Sequence, residues 1–228
     1  MSGSQEQASV VISAYNEEPY IAAVLEALRS TPDLARITVV DDGSQDGTST
    51  VVGGSLKQDP RLRLLRLPSN RGKGGAMVAG AKASPGDLIV FLDADLVGLK
   101  PDNLLALIEP VSEGRSDMSL GVFRGGRFST DLTQHVTPFL NGQRCLRWSL
   151  FRDAPDLGVS RSGADVALSL HARRRGYRVI KVPLHGVTHV RKDEKKPFLQ
   201  GELAHARMFG EIFRYLLSRK DSRGEAAS

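Results

Sequence analysis

Hydrophobic residues in this chain fall into short dense runs, separated by stretches in which they recur every three or four positions. Residues 9–14 (SVVISA) are such a run, and residues 19–28 then place apolar side chains at helical spacing, which predicts a strand followed by a helix. Residues 37–40 (ITVV) predict a second strand, and DDGSQDGT after it a turn in which Asp46 caps a helix over 48–56. A strand at 62–67, a glycine-rich stretch NRGKGGAMVAGAKA that leads into or forms a third helix, and a strand at 87–92 continue the alternation. Beyond it the pattern loosens. It predicts a strand at 118–122, a Gly- and Arg-rich loop at 124–127, helical stretches at 139–151 and 165–175, a strand at 178–182 and a last helix within 199–218.

Strand and helix alternating at this pitch predict an α/β fold with a mostly parallel central sheet, right-handed crossovers and helices on both faces. In such sheets ligands bind outside the carboxyl ends of the strands. Three polar clusters fall at such ends: Tyr15-Asn16-Glu17-Glu18, Asp41-Asp42-Gly43-Ser44 and Asp93-Ala94-Asp95. One cleft would collect them, with the glycine-rich turn left outside the set. No repeat, low-complexity linker or break interrupts the pattern, so the expectation is a single domain over 1–228 with a functional division near Gly98.

Composition narrows the class. With 228 residues, 40% hydrophobic and 25% charged, the chain can bury one core of ordinary globular kind. The lone cysteine, Cys145, cannot form an intrachain disulfide, which together with an amino terminus (MSGSQEQA) lacking signal-peptide regions predicts a cytoplasmic setting. No apolar run approaches the ~20 residues that span a bilayer. A formal net charge of +5 suits anionic partners without choosing among them.

The run IVFLDADL (89–96) raises the chemical question, because four hydrophobes end in two carboxylates one residue apart. Alternation along a strand would aim Asp93 and Asp95 the same way, where they repel unless a cation lies between them. A hard divalent ion, Mg2+ or Mn2+, answers that need and commonly combines carboxylates with substrate phosphates and water. A bare Asp-x-Asp is more often a pair of solvated carboxylates at a turn, so the surrounding motifs decide.

Those motifs are VVISAYNEEPYI (10–21), ITVVDDGSQDGT (37–48), NRGKGGAMVAGAKASPGD (70–87) and IVFLDADL. In order and spacing the chain resembles the family 2 glycosyltransferases of the GT-A fold, closely over the first hundred residues and loosely beyond. The resemblance implies a nucleotide-sugar-binding half over about 8–97 and an acceptor-binding half over about 98–228. It implies that Ala14, Tyr15 and Glu17 line the base and ribose, that Asp42 accepts hydrogen bonds from the base, and that Lys73 lies close to the nucleotide. Asp93, Ala94 and Asp95 form the metal-dependent nucleotide-sugar motif, with Asp95 the direct ligand and Asp93 a second candidate. An ionised Asp42 reads a ring N–H of uracil or guanine, which implies a UDP- or GDP-sugar donor.

For the second half the resemblance implies that Asp165, near a helix start, deprotonates an acceptor hydroxyl. A carboxylate there also suits the helix dipole. In HGVTH, His189 matches a metal-ligand position, with His185 the alternative. Gln143 and Arg144, in FLNGQRCLRW, match an acceptor-side segment; the other reading packs Arg144, Arg147 and Trp148 on a helix that its arginines keep solvated. The expected activity is transfer of one sugar, with inversion, from a UDP- or GDP-sugar to a hydroxyl or phosphate acceptor. Alternatives are a polyprenyl-phosphate glycosyltransferase at the membrane surface and a non-catalytic nucleotide-sugar-binding protein. Nucleic acid is not an expected partner. Basic runs at 171–178 and 190–196 would suit a phosphorylated acceptor or the inner face of a membrane, and the apolar stripe Phe209, Ile212, Phe213, Leu216 suits packing on the domain or in a homodimer.

Overall fold

Alternate side chains of a strand face opposite ways, so a strand covered on both sides must be apolar at every position. The β1 strand (Ala8–Ala14), apolar but for two serines, and the β4 strand (Leu88–Asp93), apolar up to its terminal Asp93, come close to that condition. Val10 and Ile12 of β1 and Leu88, Val90 and Leu92 of β4 enter one core, whereas Val11, Ile89 and Phe91 enter a second core on the other face. The computed structural model describes residues 6–84, 86–124, 142–154, 156–159 and 163–190.

The remaining elements are α1 (Ile21–Arg29), β2 (Leu34–Asp41), α2 (Thr48–Ser55), β3 (Leu62–Arg66), α3 (Gly72–Ala83), β5 (Leu96–Val97), α4 (Pro101–Ser112), β6 (Met118–Arg124), β7 (Arg144–Arg147), α5 (Trp148–Arg152), α6 (Ala164–Arg174), β8 (Val179–His185) and β9 (Thr188–His189). Seven strands form one sheet in the order β3-β2-β1-β4-β7-β6-β8, and β5 pairs with β9 separately. The pairs β1–β2, β1–β4, β2–β3 and β6–β8 are parallel; β7 runs antiparallel to both β4 and β6. Helices α1, α2 and α4 supply one core and α3, α5 and α6 the other, which is the expected α/β sheet with helices on both faces.

Several elements differ from the sequence reading, among them the β5–β9 ribbon, which it did not include. The stretch expected to be helical over 139–151 is the strand β7 at 144–147, followed by the short α5. The helix α4 was not anticipated, although Pro101 at its first turn and buried Leu104, Leu107 and Val111 mark it. Asp46 does not hold the N-cap position of α2, which falls to Gly47, but its Oδ1 still accepts the Thr48 N–H at 3.0 Å. The expected last helix, the run at 190–196 beyond Val190 and the loop at 124–127 beyond Arg124 lie outside the described residues. Among the described residues no helix is long and apolar enough to cross a membrane.

One contact stabilises the sheet edge. Arg61 donates to the carbonyls of Leu28, Arg29 and Thr31, satisfying the carbonyl end of α1. Asp59, buried, holds the same guanidinium from Nε at 3.0 Å and Nη2 at 2.8 Å.

Candidate active site

The registers Ala14↔Asp41 and Ser13↔Asp93 bring the carboxyl ends of β2, β1 and β4 side by side, so the three polar clusters adjoin. The first two are laced together by hydrogen bonds. Asn16, at φ 56°, donates its N–H to Ser44 Oγ at 2.9 Å and accepts the Gln45 N–H on Oδ1 at 2.8 Å. The Glu17 N–H donates to Thr48 Oγ1, the Glu18 N–H to Asp46 Oδ2, and the Gly47 N–H to Glu18 Oε2. Tyr15 stands out from this lacing at 40% exposure, whereas Ala14 is buried and its carbonyl accepts the Asp42 N–H at 2.8 Å.

The adjacent aspartates divide their work. Asp41 is turned into the loop, accepting the Ser44 N–H at 2.8 Å and the Ser49 hydroxyl. Asp42, 3% exposed, accepts the N–H groups of Arg71 at 2.7 Å and Gly72 at 2.8 Å. It therefore satisfies the amino end of α3, where free N–H groups and the helix dipole favour a negative charge. Gly43 makes this approach feasible. Its φ is +75°, and a Cβ there would lie 2.9 Å from the backbone of Ser69 and Asn70.

Held in this way, α3 delivers Lys73 to the mouth of the sheet, so the glycine-rich segment belongs to the site instead of lying outside it. The Lys73 ammonium is 2.5 Å from Asp93 Oδ1 and 2.7 Å from Asp165 Oδ2. Burial disfavours its charge, but Asp165 and Asp93 outweigh that and raise its pKa.

Asp93 is the last residue of β4, on the same side as Ile89 and Phe91, and Asp95 lies in the turn after it. Strand alternation is therefore not what brings the two carboxylates together; the turn does. The turn runs into β5, whose pairing Leu96↔His189 sets the third member beside them. Gly98 (φ +76°) permits this ribbon, because a Cβ there would collide with the Gly186 carbonyl. His189 Nδ1 lies 3.0 Å from Asp95 Oδ1 and Nε2 3.7 Å from Asp93 Oδ2, and Phe123 packs edge-on against the ring with centroids 5.0 Å apart. Burial opposes the His189 charge, yet the hydrogen bond it donates to Asp95 and the charges of Asp93 and Asp95 raise its pKa. Ligand atoms of Asp93, Asp95 and His189 all fall within 4.8 Å of one another, the sole such cluster among the described residues. His185 lies elsewhere, exposed, with its carbonyl accepting from Asn103 Nδ2.

On β7 and just before it, Gln143 and Arg144 are completely buried, at 0% exposure. This corrects one expectation, since Arg144 is on a strand and not on a solvated helix face, and both side chains turn inward beneath the site. Gln143 Nε2 donates to Asp93 Oδ2 at 2.7 Å while Gln143 Oε1 accepts the Asp93 N–H at 3.0 Å. Arg144 lies on the face of Leu146, against α6. There its Nη2 meets Asp165 Oδ1 at 3.2 Å, and its Nη1 donates to the Asp165 carbonyl and Ser169 Oγ. Asp165, in the first turn of α6 and 5% exposed, is thus held between Arg144 and Lys73. The lacing of Asn16 with Ser44 and the clamp on Asp165 were missed. The Asn, Ser and Asp-rich turns hinted at the first; nothing local announces the second.

A cleft at the carboxyl ends of parallel strands, with an Asp-x-Asp turn, an imidazole and an ammonium converging on it, is now in view, and the model of one family, Glycosyl transferase family 2, matches residues 9–177. The chain belongs to glycosyl transferase family 2. Among curated proteins, the mouse dolichyl-phosphate beta-glucosyltransferase is 36% identical over 124 residues, covering 50% of this chain and 37% of its own length. The succinoglycan biosynthesis protein ExoO of Rhizobium meliloti is 41% identical over 100 residues, covering 43% of this chain and 28% of its own length. The chain thus spans roughly a third of the length of the curated relatives it matches. Among solved structures, glucosyl-3-phosphoglycerate synthase from Mycobacterium tuberculosis, in complex with Mn2+, UDP and phosphoglyceric acid, superposes with a TM-score of 0.72 at 22% identity. The match covers 92% of this chain and 78% of that one, a likeness of fold that establishes the GT-A architecture.

Proposed function

We propose that the protein is a metal-dependent glycosyltransferase that transfers one sugar, with inversion, from a nucleoside-diphosphate sugar to a hydroxyl or phosphate acceptor. The observation carrying this reading is the convergence of Asp93, Asp95 and His189 beside Lys73 at the end of β4. Two carboxylates and an imidazole offering atoms within 4.8 Å of one another fit a hard divalent ion, Mg2+ or Mn2+, with Asp95 and His189 as ligands and Asp93 beside them. When bound, such an ion supplies positive charge to the diphosphate that departs. Lys73 adds its own charge on the same side. Ala14, Tyr15 and Glu17 border the pocket for base and ribose, and Asp42 faces the nucleotide from the far side of the β1–β2 ends. Uridine is favoured over guanosine because the solved relatives hold UDP.

Asp165 is the candidate base for a hydroxyl acceptor. A second reading, a phosphate acceptor such as a polyprenyl phosphate, is favoured by one specific feature: both Asp165 oxygens already face cations. An ionised phosphate needs no base. The similar proteins are named for dolichyl phosphate and for phosphoglycerate, which supports a phosphate-bearing acceptor.

A thermal-shift panel of UDP- and GDP-sugars with and without Mn2+, followed by assay of donor consumption, tests the function. A ligand present at 100 times its Kd adds about 2.7 kcal/mol to the native state. Mn2+-dependent stabilisation by one nucleotide series is the expected result; no shift with any of them sinks the reading.

A further inference from the structure

The amide of Gln143 and the backbone of Gly142 close on the Asp93 carboxylate at the end of β4. Gln143 Nε2 donates to Asp93 Oδ2 at 2.7 Å, and Gln143 Oε1 accepts the Asp93 N–H at 3.0 Å. Each end of the amide is thereby matched to the chemistry it meets. A carboxylate in its place cannot donate, and a hydrocarbon of the same size can do neither. The amide has no surface to offer a substrate, being fully buried. Gly142 reports the same closeness independently. A Cβ there would lie 2.5 Å from Asp93 Oδ2 and 2.9 Å from Asp93 Oδ1, so the chain at 142–143 rests directly on that carboxylate.

The remaining oxygen, Asp93 Oδ1, is taken by Lys73 at 2.5 Å. Lys73 is a flexible side chain that must also serve the nucleotide, and Asp95 repels Asp93 from the other side. Without a fixed support the Asp93 carboxylate would follow Lys73 or turn away from Asp95. We propose that Gln143 is the positioning residue for the metal-binding motif, holding the Asp93 carboxylate in its ligand-competent orientation independently of where Lys73 goes. This rests on the reading of Asp93, Asp95 and His189 as the divalent-ion site.

Two variants test it: Gln143→Met, which keeps the length and removes the amide, and Gln143→Asn, which keeps the amide but is one methylene too short to make both bonds. Calorimetry measures Mn2+ affinity in the presence of UDP, UDP affinity in chelator, and the acceptor KM. The expected result is Mn2+ affinity about 10–100-fold weaker in both variants, the usual effect of removing a group that orients a metal ligand. UDP affinity in chelator and acceptor KM should be unchanged. If Gln143→Met fails to fold, Gln143→Asn decides alone. Mn2+ affinity within twofold of wild type overturns the proposal. So does an equal loss of UDP affinity in chelator, which marks a merely structural role, or a rise in acceptor KM alone, which marks an acceptor contact. Wild-type protein without Mn2+-dependent UDP binding instead removes the site reading on which the proposal stands.

Discussion

The Lys73 ammonium lies 2.7 Å from Asp165 Oδ2, joining the start of α6 to the carboxylate that ends β4. Asp165 is consequently a structural counter-ion as well as a candidate base, and Asp165→Asn should show both roles. Removing its charge takes the nearest carboxylate from the buried Arg144 guanidinium, at a cost of about 3–5 kcal/mol in urea unfolding. With a hydroxyl acceptor, turnover of the folded fraction should fall by about 10²–10⁴-fold. With a phosphate acceptor turnover should stay near wild type. Assaying both acceptor classes at a temperature where the variant is folded separates these outcomes.

Asp95→Ala and His189→Ala should abolish metal-dependent nucleotide binding with little effect on thermal stability, since both side chains are partly exposed at the mouth of the cleft. Calorimetric titration of UDP with and without Mn2+ checks this. Metal-dependent affinity that survives in Asp95→Ala would remove the residue from the ligand set.

Asp42→Asn exchanges one acceptor oxygen for a donor that faces the Arg71 or Gly72 N–H. Nucleotide affinity should fall by about 1–3 kcal/mol, the range for a buried charged hydrogen bond. The structure adds a second signature, because amide hydrogen exchange at Arg71 and Gly72 should accelerate even without nucleotide. Unchanged exchange together with lower affinity would leave Asp42 acting on the base alone.

The Asp59 carboxylate is held below the usual aspartate range, chiefly by its hydrogen bonds from the Arg61 side chain. Because its folded-state pKa lies below its unfolded value, the pair stabilises above the unfolded value, and that contribution is lost as pH falls through the folded-state pKa. Arg61→Ala should lower stability at pH 7 by about 1.5–3 kcal/mol. Asp59→Asn should flatten the decline in melting temperature between neutral and acid pH. An Asp59→Asn melting curve as steep in pH as the wild type would show that other carboxylates set it.

Much of this was readable along the chain. The strands β1 and β4, and β2 from Ile37 to Val40, are runs of apolar or small residues, and their polar terminations mark the cleft because the sheet is parallel there. Strand β7 was misread because Arg144 and Arg147 break the apolar run that a central strand normally shows, while buried Arg144 is neutralised by Asp165, a partner only the folded chain supplies. His189 illustrates the same limit. Its motif resemblance was visible, but its place beside Asp95 depends on a two-residue ribbon that no hydrophobic period announces.

The antiparallel course of β7 has a mechanical consequence. Its parallel neighbours reach the cleft with their carboxyl ends, so a reversed strand reaches it with its amino end, which is why Gln143 and Arg144 arrive together beneath Asp93 and Asp165. Each residue serves a different carboxylate, and Cys145 turns to the opposite core. The strand acts as a ruler whose zero mark is the cleft. Losing or gaining one residue between 143 and 147 would turn Arg144 away from α6 and bring an apolar side chain to the anionic centre. Changes of composition at Cys145 would be felt only as packing, so this stretch should tolerate altered lettering far better than altered length.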